Sequence, residues 1–383
     1  MKIIADENIP CVEQAFASLG EVILLPGRSM QAADVGDADV LLVRSVTRVD
    51  AALLDNSPVR FVGSATIGFD HVDRDYLQGR GIGFSTAPGS NATSAAEYVV
   101  SVLMVLSSQQ GFELAGKTVG IIGCGNVGSR VRQRLTALGM RCLVNDPPLQ
   151  AQGVQDDFVP LEAVLQADIV TLHVPLEKAG RYPTFHLVNA ARLQQLGPGA
   201  IFINTARGAV ADNQALDDAL EGRDDLTVVL DVWENEPAIS TGLLQKVALG
   251  TPHIAGYSID GKLRGTGMIY EAACEYFDMP AQWHARDAVA ATPAYRLTGD
   301  RQEDVLATLR EAVLSVYDVR EDDARLRETL ALPDTERSAA FDALRKNYPV
   351  RREFSESTIQ LQHPADAAGV LLGKLGFRIA ATD

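Results

Sequence analysis

Residues 119–128 read Val-Gly-Ile-Ile-Gly-Cys-Gly-Asn-Val-Gly, so Gly123, Gly125 and Gly128 form G-x-G-x-x-G directly after an apolar run. The first glycine permits a tight turn, and the second lets backbone amides approach a pyrophosphate. The third lets a helix pack closely on the strand before it, with the helix N-terminus supplying partial positive charge. A helical pattern over 126–138 follows, then a second apolar run, 141–145, ending at Asp146. Asp146 lies 18 residues after Gly128, where a carboxylate accepts ribose hydroxyls and repels a 2′-phosphate, so NAD is expected rather than NADP. A glycine triplet alone would be an ordinary turn. The order strand, helix, strand, acid is what turns it into a dinucleotide site, with Cys124 read as a small packing residue.

The rest of the chain agrees with that start. Apolar runs at 118–122, 141–145, 169–173, 200–204 and 227–231 are nearly continuous, as in strands covered by helices on both faces. Upstream, short runs at 2–5, 21–25, 40–43, 60–62 and 82–85 alternate with helical patterns such as 12–19 and 72–78. The expected fold is therefore α/β, with two doubly wound parallel-sheet, Rossmann-like lobes. From about residue 285 the charge density rises and helical spacing dominates 303–317 and 335–347. That tail is expected to form a smaller α+β C-terminal domain.

Composition narrows the function. The chain has 34 basic and 50 acidic residues, a net charge of −16, which argues against nucleic acid as a partner. It does not exclude an anionic metabolite, because a few local arginines override a distant net charge. The cysteines at 11, 124, 142 and 274 form no Cys-x-x-Cys pair, so neither a zinc site nor a disulfide framework is expected, and a reducing compartment is. The start lacks the apolar core of a signal peptide, and the most apolar helical stretch, 98–106, is too short to span a bilayer. A cytoplasmic protein with no membrane partner is expected.

Three segments then fall at the C-terminal ends of later strands, where open α/β sheets bind ligands. They are Ile203-Asn204-Thr205-Ala206-Arg207-Gly208, Asp231-Val232-Trp233-Glu234-Asn235-Glu236-Pro237 and Thr251-Pro252-His253-Ile254-Ala255-Gly256-Tyr257. Oxidising a 2-hydroxy acid requires a cation for the carboxylate and a base for the hydroxyl proton. Arg207 supplies a planar fork. His253 supplies an imidazole with an intrinsic pKa near neutrality, and Glu236 a carboxylate to orient it. Singly, each would be a surface cation, a loop histidine and a turn carboxylate. The ordered set, downstream of a dinucleotide fingerprint, carries the reading.

These segments resemble the D-2-hydroxyacid dehydrogenases over roughly residues 35–280. The likeness includes Gly63-Ser64-Ala65-Thr66-Ile67-Gly68-Phe69-Asp70-His71-Val72-Asp73, Ala87-Pro88-Gly89-Ser90-Asn91 and His173-Val174-Pro175-Leu176, together with the fingerprint and the three segments above. The resemblance implies that Arg207, Glu236 and His253 are catalytic, that Asp231 faces the nicotinamide amide, and that His173, Val174 and Pro175 border the adenosine. Gly123, Gly125, Asn126, Val127, Gly128, Asp146, Ala206, Arg207, Gly208 and Gly256 complete the implied NAD contacts. It also implies a substrate or lid domain over 1–92 with 258–284, an NAD-binding domain over 93–257 and a C-terminal dimerisation domain over 285–383. The first two would hinge near Ala92 and Tyr257, and the protein would be a homodimer.

Thr66, Tyr257 and the tail run Phe341-Asp342-x-Leu344-Arg345-Lys346-x-Tyr348-Pro349-x-Arg351-Arg352-Glu353-Phe354 are similar to a branch of that family acting on a small, anionic, phosphorylated hydroxy acid. By that resemblance Ser45 and Thr66 bind substrate, Tyr257 closes over it, and Arg44 adds charge. The cluster Arg345, Lys346, Arg351 and Arg352 reads either as a solvated surface or as the source of a phosphate ligand, in its own or the partner subunit's site. Two alternatives stand beside this: a 3-phosphoglycerate dehydrogenase with an effector domain, and a non-catalytic NAD(H)-sensing protein of the same fold.

Overall fold

The computed structural model describes residues 1–288, 293–297 and 304–382. The chain divides into two compact units, Met1–Asn91 with Ser258–Ala291, and Ala92–Tyr257 with Thr292–Asp383.

The first unit is built on a five-stranded sheet of β1 (Lys2–Asp6), β2 (Glu21–Leu25), β3 (Val40–Val43), β4 (Phe61–Ser64) and β5 (Gly83–Ser85). Its order is β2-β1-β3-β4-β5, and every pairing is parallel. The central strands β3 and β4 are buried throughout, because helices cover both faces. On one face Ile3, Ala5, Val40 and Leu42 pack with Phe16, Ile269 and Tyr270; on the other Ile4, Leu41 and Val43 pack with Leu54 and Leu77. The alternation along each strand follows from the two-residue period of a pleated strand.

The second unit carries β6 (Thr118–Ile122), β7 (Arg141–Asn145), β8 (Ile169–Leu172), β9 (Ile201–Asn204), β10 (Thr227–Leu230) and β11 (Leu249–Gly250). The order is β11-β10-β9-β8-β6-β7, again all parallel. The strand order reverses beside β6, which creates a crevice at its C-terminal end. Alternate residues again serve two cores: Ile121, Ile169, Ile203 and Val229 face one, Ile122, Val170, Phe202 and Leu230 the other.

The 19-residue helix Ala92–Gln110 is buried at almost every position from Ser94 to Ser107. It contacts the Asn126–Ala137 helix and also the tail helices Val305–Val316 and Val319–Glu328. A third parallel sheet follows, β12 (Ala294–Arg296), β13 (Thr358–Leu361) and β14 (Arg378–Ala381), in the order β12-β13-β14. The Ala367–Leu375 helix links β13 to β14.

The tail shares a hydrophobic core with the dinucleotide lobe: Leu309, Val313, Phe354, Leu372 and Leu375 belong to the cluster that contains Val119 and Leu135. This explains why it groups with that lobe rather than as a third unit. The expected helix over 303–317 runs Val305–Val316, with the Asp304 carboxylate accepting from the Ala307 amide; residue 303 lies outside the described residues.

Candidate active site

The glycine fingerprint folds as its spacing requires. Gly123 has φ +88°, and a β-carbon there would come within 2.8 Å of the His173 carbonyl oxygen. A β-carbon on Gly128 would lie 1.9 Å from the Gly123 carbonyl oxygen, so helix and turn can meet only through glycine. Gly125 is different: its missing β-carbon would point into open space, and it heads the Asn126–Ala137 helix without a side-chain cap. A helix start with uncapped amides, an exposed glycine and Asn126 exposed beside it fits a pyrophosphate. Val127 is packed partly against the core.

Asp146 closes the loop. One of its oxygens accepts the Cys124 amide at 2.8 Å and the other the Leu149 amide at 3.0 Å. The carboxylate is held at the end of β7 as the fingerprint requires, and each oxygen keeps a further lone pair for a ribose hydroxyl. Cys124 is half-buried, and burial pushes its thiol pKa up; it is a packing residue.

The catalytic candidates come together at the C-terminal ends of β9 to β11. His253 Nδ1 donates to Glu236 Oε2 at 2.7 Å, while Glu236 Oε1 accepts the Trp233 amide at 2.8 Å. A carboxylate only accepts, so the proton sits on Nδ1 and the Nε2 lone pair is left as the basic atom. Burial pushes the Glu236 pKa up, but the His253 charge and hydrogen bond, the Trp233 amide and the Arg345 charge outweigh it, and the net shift is downward. Glu236 is thus an anion at neutral pH.

Both His253 (φ +57°) and Asn235 (φ +61°) adopt the left-handed backbone region, which is uncommon for residues with a β-carbon. The surroundings hold them there. The His253 amide donates to the Asp231 carbonyl at 2.7 Å. The Asp231 carboxylate accepts from Thr251 Oγ1 (2.7 Å), the Ile254 amide (2.7 Å) and the Ala255 amide (3.0 Å). Tyr98 donates to Thr251 Oγ1 at 2.8 Å, and Trp233 Nε1 donates to the Thr251 carbonyl at 3.0 Å. Asp231 is buried, and these bonds shape the turn that presents His253.

Arg207 follows β9. Its Nη1 donates to the Ala206 carbonyl at 2.7 Å, and its own carbonyl accepts from Asn204 Nδ2 at 3.0 Å. Gly208 has a steric role: a β-carbon there would lie 2.0 Å from the Trp233 carbonyl carbon, so the Arg207 and Glu236 loops pack backbone to backbone. His173 hydrogen-bonds Thr171 Oγ1 at 3.0 Å and Thr205 Oγ1 at 3.4 Å. Desolvation pushes its pKa down to about 3, which makes it a neutral hydrogen-bonding group. Val174 packs against the Gly123 turn, and the Pro175 carbonyl accepts from Thr184 Oγ1 at 2.5 Å.

In the first unit, Ser45 is exposed after β3 and Arg44 half-buried beside it. Thr66 follows β4 in a short relay: Thr66 Oγ1 lies 2.8 Å from Ser64 Oγ, which lies 3.1 Å from His71 Nε2.

Sequence reasoning missed two supports. His186 donates through Nε2 to Glu234 at 2.8 Å, stands 3.5 Å from Asp212 through Nδ1, and sends its amide to the Ala209 carbonyl at 2.8 Å. It thereby clamps the Arg207 loop to the Glu236 loop. Asn213 completes the clamp, its amide donating to Glu234 Oε2 at 2.9 Å and its side-chain oxygen accepting the Glu234 amide at 3.1 Å. No local motif announces a histidine that acts on loops 20 to 50 residues away. The second support is the tail. Arg351 is buried, donates to the carbonyls of Ala255 (3.1 Å) and Ser94 (2.7 Å), and lies 3.5 Å over the Tyr317 ring. Arg352 is buried as well. The solvated-surface reading of the basic cluster therefore fails for these two: the tail uses them inside the second unit.

Comparison with known proteins agrees with this geometry. Residues 93–255 match the family described as "D-isomer specific 2-hydroxyacid dehydrogenase, NAD binding domain", and residues 290–376 match a domain of unknown function, DUF3410. A protein of Hahella chejuensis named erythronate-4-phosphate dehydrogenase is 49% identical over 381 residues, covering 100% of both chains. A protein of the same name from Salinibacter ruber is 51% identical over 367 residues, covering 94% of each. Among solved structures, NAD-dependent formate dehydrogenase from Staphylococcus aureus in complex with NAD is 25% identical with a TM-score of 0.61, covering 74% of this chain and 97% of that one. With an NAD-binding lobe, a paired histidine and glutamate, and relatives that match it from end to end, the chain belongs to the D-isomer-specific 2-hydroxyacid dehydrogenase family of NAD-dependent enzymes.

Proposed function

We propose that the protein oxidises 4-phospho-D-erythronate at C2 to (R)-3-hydroxy-2-oxo-4-phosphooxybutanoate, a step of pyridoxine 5′-phosphate synthesis. The observation that carries this reading is the full-length likeness to proteins named erythronate-4-phosphate dehydrogenase, tail included, around an intact His253–Glu236 pair. NAD, when bound, accepts the hydride that C2 loses. Gly123, Gly125, Asn126, Val127, Gly128 and Asp146 hold its pyrophosphate and ribose, with His173, Val174 and Pro175 along the adenosine and Ala206, Arg207, Gly208, Asp231 and Gly256 near the nicotinamide.

Arg207 binds the substrate carboxylate through a charge-assisted fork. His253 Nε2 takes the C2 hydroxyl proton, and Glu236, held by the Trp233 amide, stabilises the resulting imidazolium and prevents the ring from turning. Ser45, Thr66 and Tyr257 contact the substrate. The chain works in the cytoplasm as a homodimer joined through its tail. This last point is checked by sedimentation of the full chain against one ending before residue 285; a monomeric full chain would refute it.

The deciding experiment is mass-spectrometric detection of the 2-oxo acid from 4-phosphoerythronate and NAD, run beside 3-phosphoglycerate and supplied with an electron sink. Faster turnover of 3-phosphoglycerate would replace this assignment. NADH binding without hydride transfer to any 2-oxo acid would favour a sensor.

A further inference from the structure

The turn that carries His253 is held from two sides. On the inner side the Asp231 carboxylate takes Thr251 Oγ1 and the amides of Ile254 and Ala255. The outer side is held by the tail. Asp323 Oδ1 accepts the Gly250 amide at 2.7 Å across 73 positions of sequence, and Arg351 Nη1 donates to the Ala255 carbonyl at 3.1 Å across 96. These anchors fall on either side of His253.

Each anchor is itself fixed. Arg327 Nε donates to both oxygens of Asp323 at 2.9 Å, and its terminal nitrogens donate to the carbonyls of Leu244 (2.8 Å) and Val247 (2.9 Å). One arginine thus ties the carboxylate to the end of the Thr241–Lys246 helix, which leads into β11. Arg351 places its other terminal nitrogen on the Ser94 carbonyl at 2.7 Å and lies 3.5 Å over the Tyr317 ring. The Tyr317 hydroxyl donates to Asp322 Oδ2 at 3.0 Å, and the Tyr348 hydroxyl donates to the same oxygen at 2.8 Å. Tyr348 in turn meets Tyr257 edge-on, ring centres 5.5 Å apart. Asp322 is buried and stands next to Asp323 on the Val319–Glu328 helix. Neighbouring carboxylates of one helix therefore serve both ends of the turn.

The plainer reading is that these bonds merely dock the tail. Two features of the turn go further. His253 holds φ +57°, a conformation that persists only where the surroundings enforce it. In addition, β11, which delivers the turn, is an edge strand of two residues paired only with β10. That is shorter than an ordinary strand, so the sheet alone leaves the outer side of the turn to other partners.

We propose that Asp323 and Arg351 are positioning residues for the catalytic base. The Val319–Glu328 helix and the arginine it supports hold the His253 turn in place, so that the tail of each chain sets the turnover of its own dehydrogenase site. The inference rests on the reading of His253 as the base, but not on the identity of the hydroxy acid. It also gives one role to a region that matches only a domain of unknown function.

The test is steady-state kinetics of the full-length D323A, R351M and R327M variants in wild-type and H253Q backgrounds. The substrate is whichever of 4-phosphoerythronate and 3-phosphoglycerate the wild type turns over faster. In the wild-type background D323A and R351M should each lower kcat about tenfold, because a misplaced base loses rate rather than affinity. Substrate KM and NADH affinity, read by fluorescence titration, should stay within about twofold. D323N, whose amide oxygen can still accept the Gly250 amide, and R351K, which keeps a donor, should lose less. R327M removes only the brace on Asp323 and should cost about threefold in kcat; it carries the test where the larger changes prevent folding. In H253Q none of these substitutions should lower kcat further, because the base they place is gone. Wild-type kcat in the folded members of this set would overturn the proposal. So would an equal loss in both backgrounds, which would mark a general loosening of the lobe. An H253Q enzyme as fast as wild type would remove His253 as the base, and the proposal with it.

Discussion

The two large sheets share a topology and differ at the edge where ligands bind. Each is wholly parallel, with the order reversing beside its first strand. After β6 the chain places three glycines, one of which opens onto space at an uncapped helix start. After β1 it places Asp6-Glu7-Asn8-Ile9-Pro10. There the buried Asp6 accepts from both the amide and the side chain of Asn8, and the next short helix begins at Val12. One turn offers backbone amides; in the other a carboxylate takes up an amide of its own loop. The difference teaches that topology supplies a crevice and the loop decides whether a phosphate can enter it.

The second sheet also has a covering the first lacks. The tail lies over the Ala92–Gln110 helix, and the contact contains charge: the fully buried Glu97 accepts the Phe354 amide at 2.9 Å, and Ser94 donates to the buried Glu353 at 2.8 Å. Burial and the neighbouring Glu353 push the Glu97 pKa up to about 8, against the opposing pull of Arg351 and Arg134.

The sharpest break of the comparison is chemical. If hydride transfer depends on the second sheet's edge, H253Q should lower kcat by about 10²–10⁴-fold while leaving NADH binding intact; a loss under tenfold in steady-state assays would remove His253 as the base. Next comes G128A, whose new methyl would meet the Gly123 carbonyl. It should destabilise by about 3 kcal/mol in urea unfolding and abolish NADH binding, whereas unchanged NADH affinity would show the turn to be more pliable than its geometry.

Glu97 tests the tail contact. Its folded pKa exceeds the ordinary carboxyl value of 4.5, so the native state holds a proton that the unfolded chain releases. Stability from this group is therefore fully present below about pH 4.5 and is lost as pH rises through about 8. E97Q should remove a decline of roughly 5 kcal/mol between acid and pH 9, read as a flatter pH dependence of the unfolding midpoint. An identical slope in both proteins would mean that Glu97 titrates normally.

D146N addresses the ribose. It should narrow the preference for NAD over NADP about tenfold, or about 1.4 kcal/mol, in paired kcat/KM measurements; an unaltered ratio would assign cofactor choice elsewhere. The smallest effect belongs to the first sheet. T66A should raise the substrate KM about threefold with little change in kcat, as for removal of one hydroxyl hydrogen bond worth about 0.5–1.5 kcal/mol. A collapse of kcat would make the first sheet as chemical as the second.

Local reasoning reached far in this chain, for identifiable reasons. Strands β6 and β8 run as the apolar pattern predicts, because strands covered on both faces must be apolar along their length. The fingerprint was legible because its spacing, strand, helix and acid all lie within about thirty residues, although only Gly128 meets its steric demand from so near, at Gly123. The pairing of His253 with Glu236 was legible as chemistry, since an imidazole and a carboxylate that orients it follow neighbouring strands.

What the sequence could not decide involves partners far apart along the chain. That the Asp231 carboxylate accepts from Thr251, Ile254 and Ala255 and so shapes the turn carrying His253 is shown only by the folded chain. His186 becomes meaningful only where Asp212 and Glu234 meet it. In the tail, two arginines six positions apart find different partners: Arg351 is locked onto the carbonyls of Ala255 and Ser94, and Arg345 lies beside the Tyr257 ring. Sequence by itself determined the sheets, the cofactor turn and the residue types proposed for catalysis, because periodicity and steric demand act over a few residues. Which charged groups serve the fold and which remain for a ligand was decided by tertiary structure, because burial and hydrogen-bond satisfaction depend on residues the chain brings together only when it folds.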